Sequence, residues 1–194
     1  MKVTLRNDGV EISGYVNATD RESKPLRDAE GYFVERIEPG AFARSLAKHD
    51  PVMLLNHDHG RVLSTVADGL TVREDAVGLY AQAVVTDAAV VDKARAGRLS
   101  GWSFGFVPGE QAIDAPNGMR RKTVRSLDLI EVSLLDDTRT PAYIATSVMT
   151  RDDGEPLEVR EMGDAPELVD EREEPKPEPP DLSGYQAIIE ELSK

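Results

Sequence analysis

Through the first 150 residues, apolar and polar positions mostly alternate in short runs with a period of two, the signature of half-buried β-strands. "VEISGYVN" (10–17) opens the series, and "VMLLNHD" (52–58) is an apolar run that turns polar at its end. "RVLSTVADGLTVREDAVGLYAQAVV" (61–85) predicts three strands, with an Asp-Gly turn at Asp68-Gly69 and a looser turn over 74–78. "LSGWSFGFVP" (99–108) and "MRRKTVRSLDLIEVSLL" (119–135) predict three more, the second stretch alternating over two strands. Only two segments of the body switch to helical spacing. In "TDAAVVDKARAGR" (86–98) Thr86 or Asp87 supplies a cap and Gly97 a stop, and "IEPGAFARSLAKH" (37–49) opens at Pro39-Gly40. About seven strands with two or three helices predict a mainly β fold, a closed or nearly closed β-barrel with α-helices packed on it.

The pattern breaks after residue 150. Residues 151–194 hold 15 acidic and 5 basic residues, and so carry −10 of the chain's net −13. "EREEPKPEPPD" (171–181) has too little apolar surface to offset its ordering entropy. Helical spacing returns in "LSGYQAIIEELSK", with Tyr185, Ile188, Ile189 and Leu192 on one face. Three regions are therefore expected: a body over 1–150, an acidic Pro-rich disordered linker over 151–181, and a short amphipathic C-terminal helix over 182–194. A helix that short is marginal alone in water and needs a partner.

Composition narrows the function. The acidic balance argues against a nucleic-acid surface, which needs clustered Lys and Arg. No apolar run approaches the roughly 18 residues of a membrane span, and the opening "MKVTLRNDGVEISGY" alternates like a strand rather than reading as a secretory signal. With no cysteine there is no disulfide, thiolate zinc site or cysteine nucleophile, which fits a reducing cytoplasm.

Three polar residues interrupt apolar strands. Ser103 lies between Trp102 and Phe104 in "LSGWSFGF". His57 stands where the run "VMLLN" ends, and Glu131 falls inside "LDLIEVSLL". Strict alternation places Leu127, Leu129, Glu131 and Ser133 on one face of that last strand. A serine hydroxyl needs a base within hydrogen-bond reach to become a nucleophile, and that base needs an acceptor on its other nitrogen. Ser103, His57 and Glu131 supply those three chemical types. Each also has a structural reading: a packed serine bonded to the backbone, a satisfied strand-end histidine, a carboxylate paired with Arg120, Arg121 or Arg125.

Five blocks, "RIEPGAFARSL", "VMLLNHDHGRVLSTV", "VGLYAQAVV", "RAGRLSGWSFGF" and "LDLIEVSLLDDTRTPAYIAT", resemble in order those of the tailed-phage prohead (procapsid maturation) serine proteases. These are distantly similar in fold to the herpesvirus assemblins. The resemblance runs from about residue 14 to 145. It implies a herpesvirus-protease-like fold, His57 as base, Ser103 as nucleophile and Glu131 as third member, with Asp58 the understudy. Trp102 and Phe104, on the opposite face, would then fix the Ser103 rotamer, and Gly101 and Gly105 would leave room for substrate. By position Arg139 matches an arginine that supports the oxyanion site in the herpesvirus relatives. The implied activity is capsid maturation inside the procapsid in the host cytoplasm, without metal or organic cofactor. Its implied substrates are the scaffold protein, the scaffolding segment of the major capsid protein, and the protease itself, with small or acidic residues expected near the scissile bond. Homodimerisation follows from the herpesvirus likeness.

Two rivals remain at this stage. His57 and His59, two apart on a strand, with Asp58 or His49, form a partial metal-ligand set. Alternatively, the chain is a non-enzymatic capsid-assembly or scaffold-binding protein that retains the protease fold.

Overall fold

A computed structural model describes residues 1–138, 147–150, 156–162 and 166–172. The molecule is mainly β with few helices, 55% strand and 11% helix. Its three sheets share one core, most of it supplied by the five- and six-stranded ones.

The five-stranded sheet comprises β1 (Lys2–Leu5), β2 (Val10–Ala18), β7 (Thr71–Glu74), β8 (Gly78–Val85) and β15 (Glu167–Asp170), in the order β15-β1-β2-β8-β7. The four-stranded sheet, β10-β11-β4-β3, uses β3 (Leu26–Asp28), β4 (Gly31–Ile37), β10 (Gln111–Asp114) and β11 (Arg120–Val124). The six-stranded sheet runs β13-β14-β9-β12-β5-β6. It is built from β5 (Val52–Leu55), β6 (Asp58–Ser64), β9 (Leu99–Pro108), β12 (Leu127–Asp136), β13 (Ser147–Thr150) and β14 (Pro156–Met162). The mainly β expectation holds, and among the described residues the ladders fall into three sheets in which no closed barrel is found. The Asp68-Gly69 turn shows why a strand count misleads. A 3₁₀ turn at Val66–Asp68, ended by Gly69 at φ 95°, carries the chain from β6 in one sheet to β7 in another. Neighbours in sequence thereby become members of different ladders.

The shared core takes Val3, Ile12, Val16, Leu79 and Ala81 from one sheet and Met53, Trp102, Phe104, Phe106, Val132 and Leu134 from the other. Two helices seal it. α1 (Ala41–Leu46) contributes Phe42, whose ring meets Phe104 edge-on at 5.6 Å. Gly40 caps α1 at φ 84°, where a side chain would be strained, and offers no side-chain oxygen. The carboxylate of Glu74 on β7 substitutes, accepting from the Gly40 and Ala43 amides at 2.7 Å each. α2 (Ala88–Arg95) is shorter than its pattern but keeps the expected devices: Asp87 Oδ1 accepts from the Val90 amide at 3.0 Å, and Gly97 follows at φ 64°.

The largest departure lies after residue 150. β14 and β15 both fall inside 151–181, the stretch expected as disordered linker. β14 pairs antiparallel with β9, and β15 pairs parallel with β1. Local composition misjudged them because β9 and β1, more than 50 residues away, supply ladder partners, and Val159 and Arg160 are buried on arrival. The amphipathic helix expected over 182–194 lies outside the described residues, as does residue 139.

Candidate active site

β12 and the turn after β5 build the centre of the site. β5 is parallel to β12, with Leu55 opposite Leu134. The chain then turns through Asn56 (φ 54°) and His57 (φ 62°), two consecutive non-glycine residues in the left-handed region. Such backbone is uncommon and held only where surroundings over-determine it. Here the Asn56 amide donates to the Leu134 carbonyl at 2.9 Å, Asn56 Oδ1 accepts from the Asp136 amide at 3.1 Å, and the His57 amide donates to Ser133 Oγ at 3.2 Å. His57 is therefore a turn residue rather than a strand residue, so the alternation that aligned it with His59 does not extend to it.

The turn delivers the imidazole to Glu131. His57 Nδ1 and Glu131 Oε1 are 2.8 Å apart, and neither side chain is exposed to solvent. With the carboxylate ionised, Nδ1–H donates, and the ring's remaining lone pair sits on Nε2. That nitrogen is buried and has no hydrogen-bond partner. Glu131 Oε2 accepts from Ser133 Oγ–H at 2.5 Å. Ser133 thus ties the carboxylate to the backbone of the histidine it holds, a bridging role the sequence did not reveal, although Glu-x-Ser on a strand put both on one face.

A β-bulge makes this arrangement compatible with a hydrophobic core. Leu129 pairs with Phe106 and Glu131 with Gly105, so Ile130 is the extra residue. The bulge reverses the parity of β12. Leu127 and Leu129 before it, and Val132 and Leu134 after it, all join the same core. Uninterrupted alternation, which grouped Leu127 and Leu129 with Glu131 and Ser133, is corrected at this point. Without the bulge, burying the leucines would send the carboxylate into the core. Gly105, which carries no side chain, lies opposite Glu131.

Ser103 lies opposite Ser133 in the β9–β12 ladder, fully buried, while Trp102, Phe104 and Phe106 belong to the core. The site face and the core face of β9 therefore separate as its alternation indicated. Ser103 and His57 both neighbour Ser133 but are not hydrogen-bonded to each other. Instead, Ser103 Oγ–H donates to the main-chain carbonyl of Arg160 on β14 at 2.8 Å. The Arg160 guanidinium is itself buried: Nε and Nη2 donate to Glu35 Oε1 and Oε2 on β4 at 2.7 and 2.6 Å. Nη1 donates to the Val159 carbonyl at 3.0 Å, Nη2 also contacts Glu158, and the group lies 5.1 Å from the Phe106 ring centroid. Burial opposes its charge, but Glu35 and Glu158 outweigh that and hold its pKa above the ordinary guanidinium value.

The remaining candidates stand apart. Asp58 is exposed and accepts from the Gly60 amide at 2.9 Å; it is Glu131 that His57 touches. The His49 ring lies 3.2 Å from the Leu129 carbonyl. Among the described residues no three His, Cys, Asp or Glu side chains converge as a metal site. Arg139 lies outside the described residues. Sequence reasoning missed Glu35 and Arg160, for which no local signal existed, since 125 positions separate them.

A mainly β scaffold carrying a buried histidine–carboxylate pair, with a serine on the adjoining strand, has the parts of a serine hydrolase site. The profile of the caudovirus prohead serine proteases matches residues 1–158, and the chain belongs to that family. Membership implies a serine peptidase of capsid maturation, located in the procapsid and acting on capsid or scaffold proteins. No curated protein matches the chain, and no solved structure does. No described helix is long and apolar enough to cross a membrane.

Proposed function

We propose that this protein is a serine endopeptidase in which Ser103 is the nucleophile, His57 the general base and Glu131 the orienting carboxylate. It cleaves the scaffold protein, or the scaffolding segment of the major capsid protein, and itself inside the procapsid. The observation that carries the reading is the buried 2.8 Å contact between His57 Nδ1 and Glu131, which leaves Nε2 buried and without a hydrogen-bond partner. A buried imidazole nitrogen without a partner is costly if it has no task. The same nitrogen is the one a base needs. Glu131 fixes the tautomer and stabilises the imidazolium that forms when His57 takes the Ser103 proton. The hydroxyl oxygen then attacks the scissile carbonyl. The acyl-enzyme is released by a water that His57 deprotonates in turn. Ser103 is the ladder partner of Ser133, whose Oγ accepts from the His57 amide, and the relay requires the Ser103 hydroxyl to leave the Arg160 carbonyl for His57 Nε2. Apo sites commonly show such loose catalytic hydrogen bonds.

The test is expression of the full chain and its Ser103→Ala variant together with the capsid and scaffold proteins of its own phage, followed by intact mass. Loss of a nucleophile lowers the rate by roughly 10⁴ to 10⁶, so fragments should form with the wild-type chain and be absent with the variant. Equal processing by both chains would return Ser103 to a packing role and favour the non-enzymatic assembly reading.

A further inference from the structure

β9 would be an edge of its sheet were β14 not laid along it, since the order is β13-β14-β9-β12. Adding an extended chain to a strand edge is a common way of holding a peptide: main-chain bonds give affinity and a side-chain pocket gives selectivity. β14 has both features at the candidate nucleophile. Its register places Arg160 opposite Phe104 and residue 161 opposite Ser103. The oxygen that Ser103 Oγ bonds is the Arg160 carbonyl, at 2.8 Å. A C=O bond adds about 1.2 Å, so the Arg160 carbonyl carbon lies within about 4 Å of Oγ. The Arg160 side chain enters a buried receptor whose charge is complementary, with Glu35 gripping it through two parallel hydrogen bonds.

We infer that β14 occupies the position of a substrate strand, that the peptide bond between residues 160 and 161 is this enzyme's own cleavage site, and that Glu35 selects a basic side chain immediately before the scissile bond. The inference rests on the reading of Ser103 as nucleophile. Chemically, Ser103 Oγ bonds to the Arg160 carbonyl carbon while its proton passes to His57 Nε2. The C–N bond to residue 161 then breaks, and that proton leaves with the new amine. Water hydrolyses the ester, restores the hydroxyl and leaves a carboxylate on Arg160. The cut falls two residues beyond the part of the chain that matches the family and inside β14, so it parts residues 156–160 from β15. A basic residue is what this receptor accepts. The acidic residue expected near the cut would bring a third carboxylate against Glu35 and Glu158, and a small one would leave Glu35 buried and unpaired.

Two measurements test this. The full chain and its Ser103→Ala variant are incubated and their fragments mapped by intact mass and N-terminal sequencing. The expected result is a Ser103-dependent pair of fragments, one ending at Arg160 and one starting at Glu161, with slower formation in Arg160→Lys and none in Arg160→Glu. In parallel, peptides spanning 156–165 with arginine or its neutral isostere citrulline at position 160 are offered in trans. Arginine should be preferred by roughly 10 to 100-fold in kcat/KM, the range of a charged hydrogen-bonded pair. Glu35→Gln should bring that ratio close to one, and Glu35→Asp should retain part of it. The ratio is independent of how much variant folds, whereas a purely structural Glu35 would lower both rates together. Ser103-dependent cuts at another bond, or an unchanged ratio in Glu35→Gln, overturn the inference and leave the nucleophile standing. If the chain stays whole and neither peptide is cut, the inference falls, and the capsid and scaffold co-expression decides separately whether the protease reading falls with it.

Discussion

Glu131 and Glu35 are both buried carboxylates that hold a nitrogen base on either side of β9, yet they leave their partners in opposite states. Glu131, on β12, binds one nitrogen of His57 and leaves the other without a partner. Glu35 takes two N–H groups of Arg160 on β14, and every nitrogen of that guanidinium is bonded. Burying a carboxylate costs several kcal/mol unless it is paired and hydrogen-bonded. The first pair meets that requirement on the carboxylate side only and keeps a reactive lone pair. The second meets it on both sides and is inert. On the proposed reading, reactivity follows from what is left unsatisfied, and recognition from what is fully satisfied.

Substitutions can break the comparison on either side. The largest effect is expected at His57: His57→Ala should lower peptidase turnover by roughly 10⁴ to 10⁶, as loss of a base in a serine protease does. Glu131→Gln should come next, at about 10⁴ in kcat, because an amide imposes the wrong tautomer while keeping the shape. Single-turnover kinetics on a peptide substrate would measure both, and activity near wild type in Glu131→Gln would remove Glu131 from the mechanism. On the other side, Glu35→Ala should act mainly on stability. It strands a buried cation and should cost about 3 kcal/mol in urea unfolding, and Arg160→Met in the same chain should restore part of it. A Glu35→Ala loss under 1 kcal/mol would mean that Glu158 alone neutralises Arg160.

The four-stranded sheet offers a half-exposed contrast. Burial would raise the Asp28 pKa, but hydrogen bonds from Lys122 and Arg120 override it and bring it down from 3.8 to about 2. A depressed carboxylate pKa contributes stability above the unfolded value that is lost as pH falls through the folded one. Between pH 4 and pH 2 the protein should therefore lose about 2 kcal/mol through Asp28, less whatever solvent screening removes. Asp28→Asn should flatten that part of the urea-midpoint profile, and an equally steep profile in the variant would assign the loss to other carboxylates. The smallest effect is expected at Asp87, which caps α2 and pairs with Arg61 at 2.8 Å. Asp87→Ala should cost about 1 kcal/mol with turnover unaltered, since α2 touches neither carboxylate pair.

Much of the site could be read from the chain because its members announce themselves locally. A polar residue inside an apolar strand is improbable without a partner, and His57, Ser103 and Glu131 each stand out in that way. Both helices were legible for the same kind of reason, through Gly40, Asp87 and Gly97 at their ends. Ser133 was visible as a neighbour of Glu131 but not as its hydrogen-bond donor, because that depends on where the His57 turn lands. The bulge at Ile130 was not legible. Nothing in "LDLIEVSLL" marks the step where the strand changes parity; the step is set by pairing with β9. A closed barrel is not found among the described residues, and strand number by itself does not specify which edges pair.

Charge and proline density hid β14 and β15 altogether. Their strand character is conferred by β9 and β1, so a window of sequence that omits those partners reads them as solvated chain. What the sequence determined by itself was the set of local preferences: a β-rich body, two short helices, and three polar residues set in apolar surroundings. Alternation, capping and burial cost act over a few residues and are written there. Tertiary structure alone decided that His57 would reach Glu131, that a bulge would divide the leucines from the carboxylate, and that Arg160 would lie over Ser103 with its side chain held by Glu35. Those contacts join positions 57 to 125 residues apart. They exist only because sheet pairing brings the strands together, and no local stretch of chain encodes a partner at that distance.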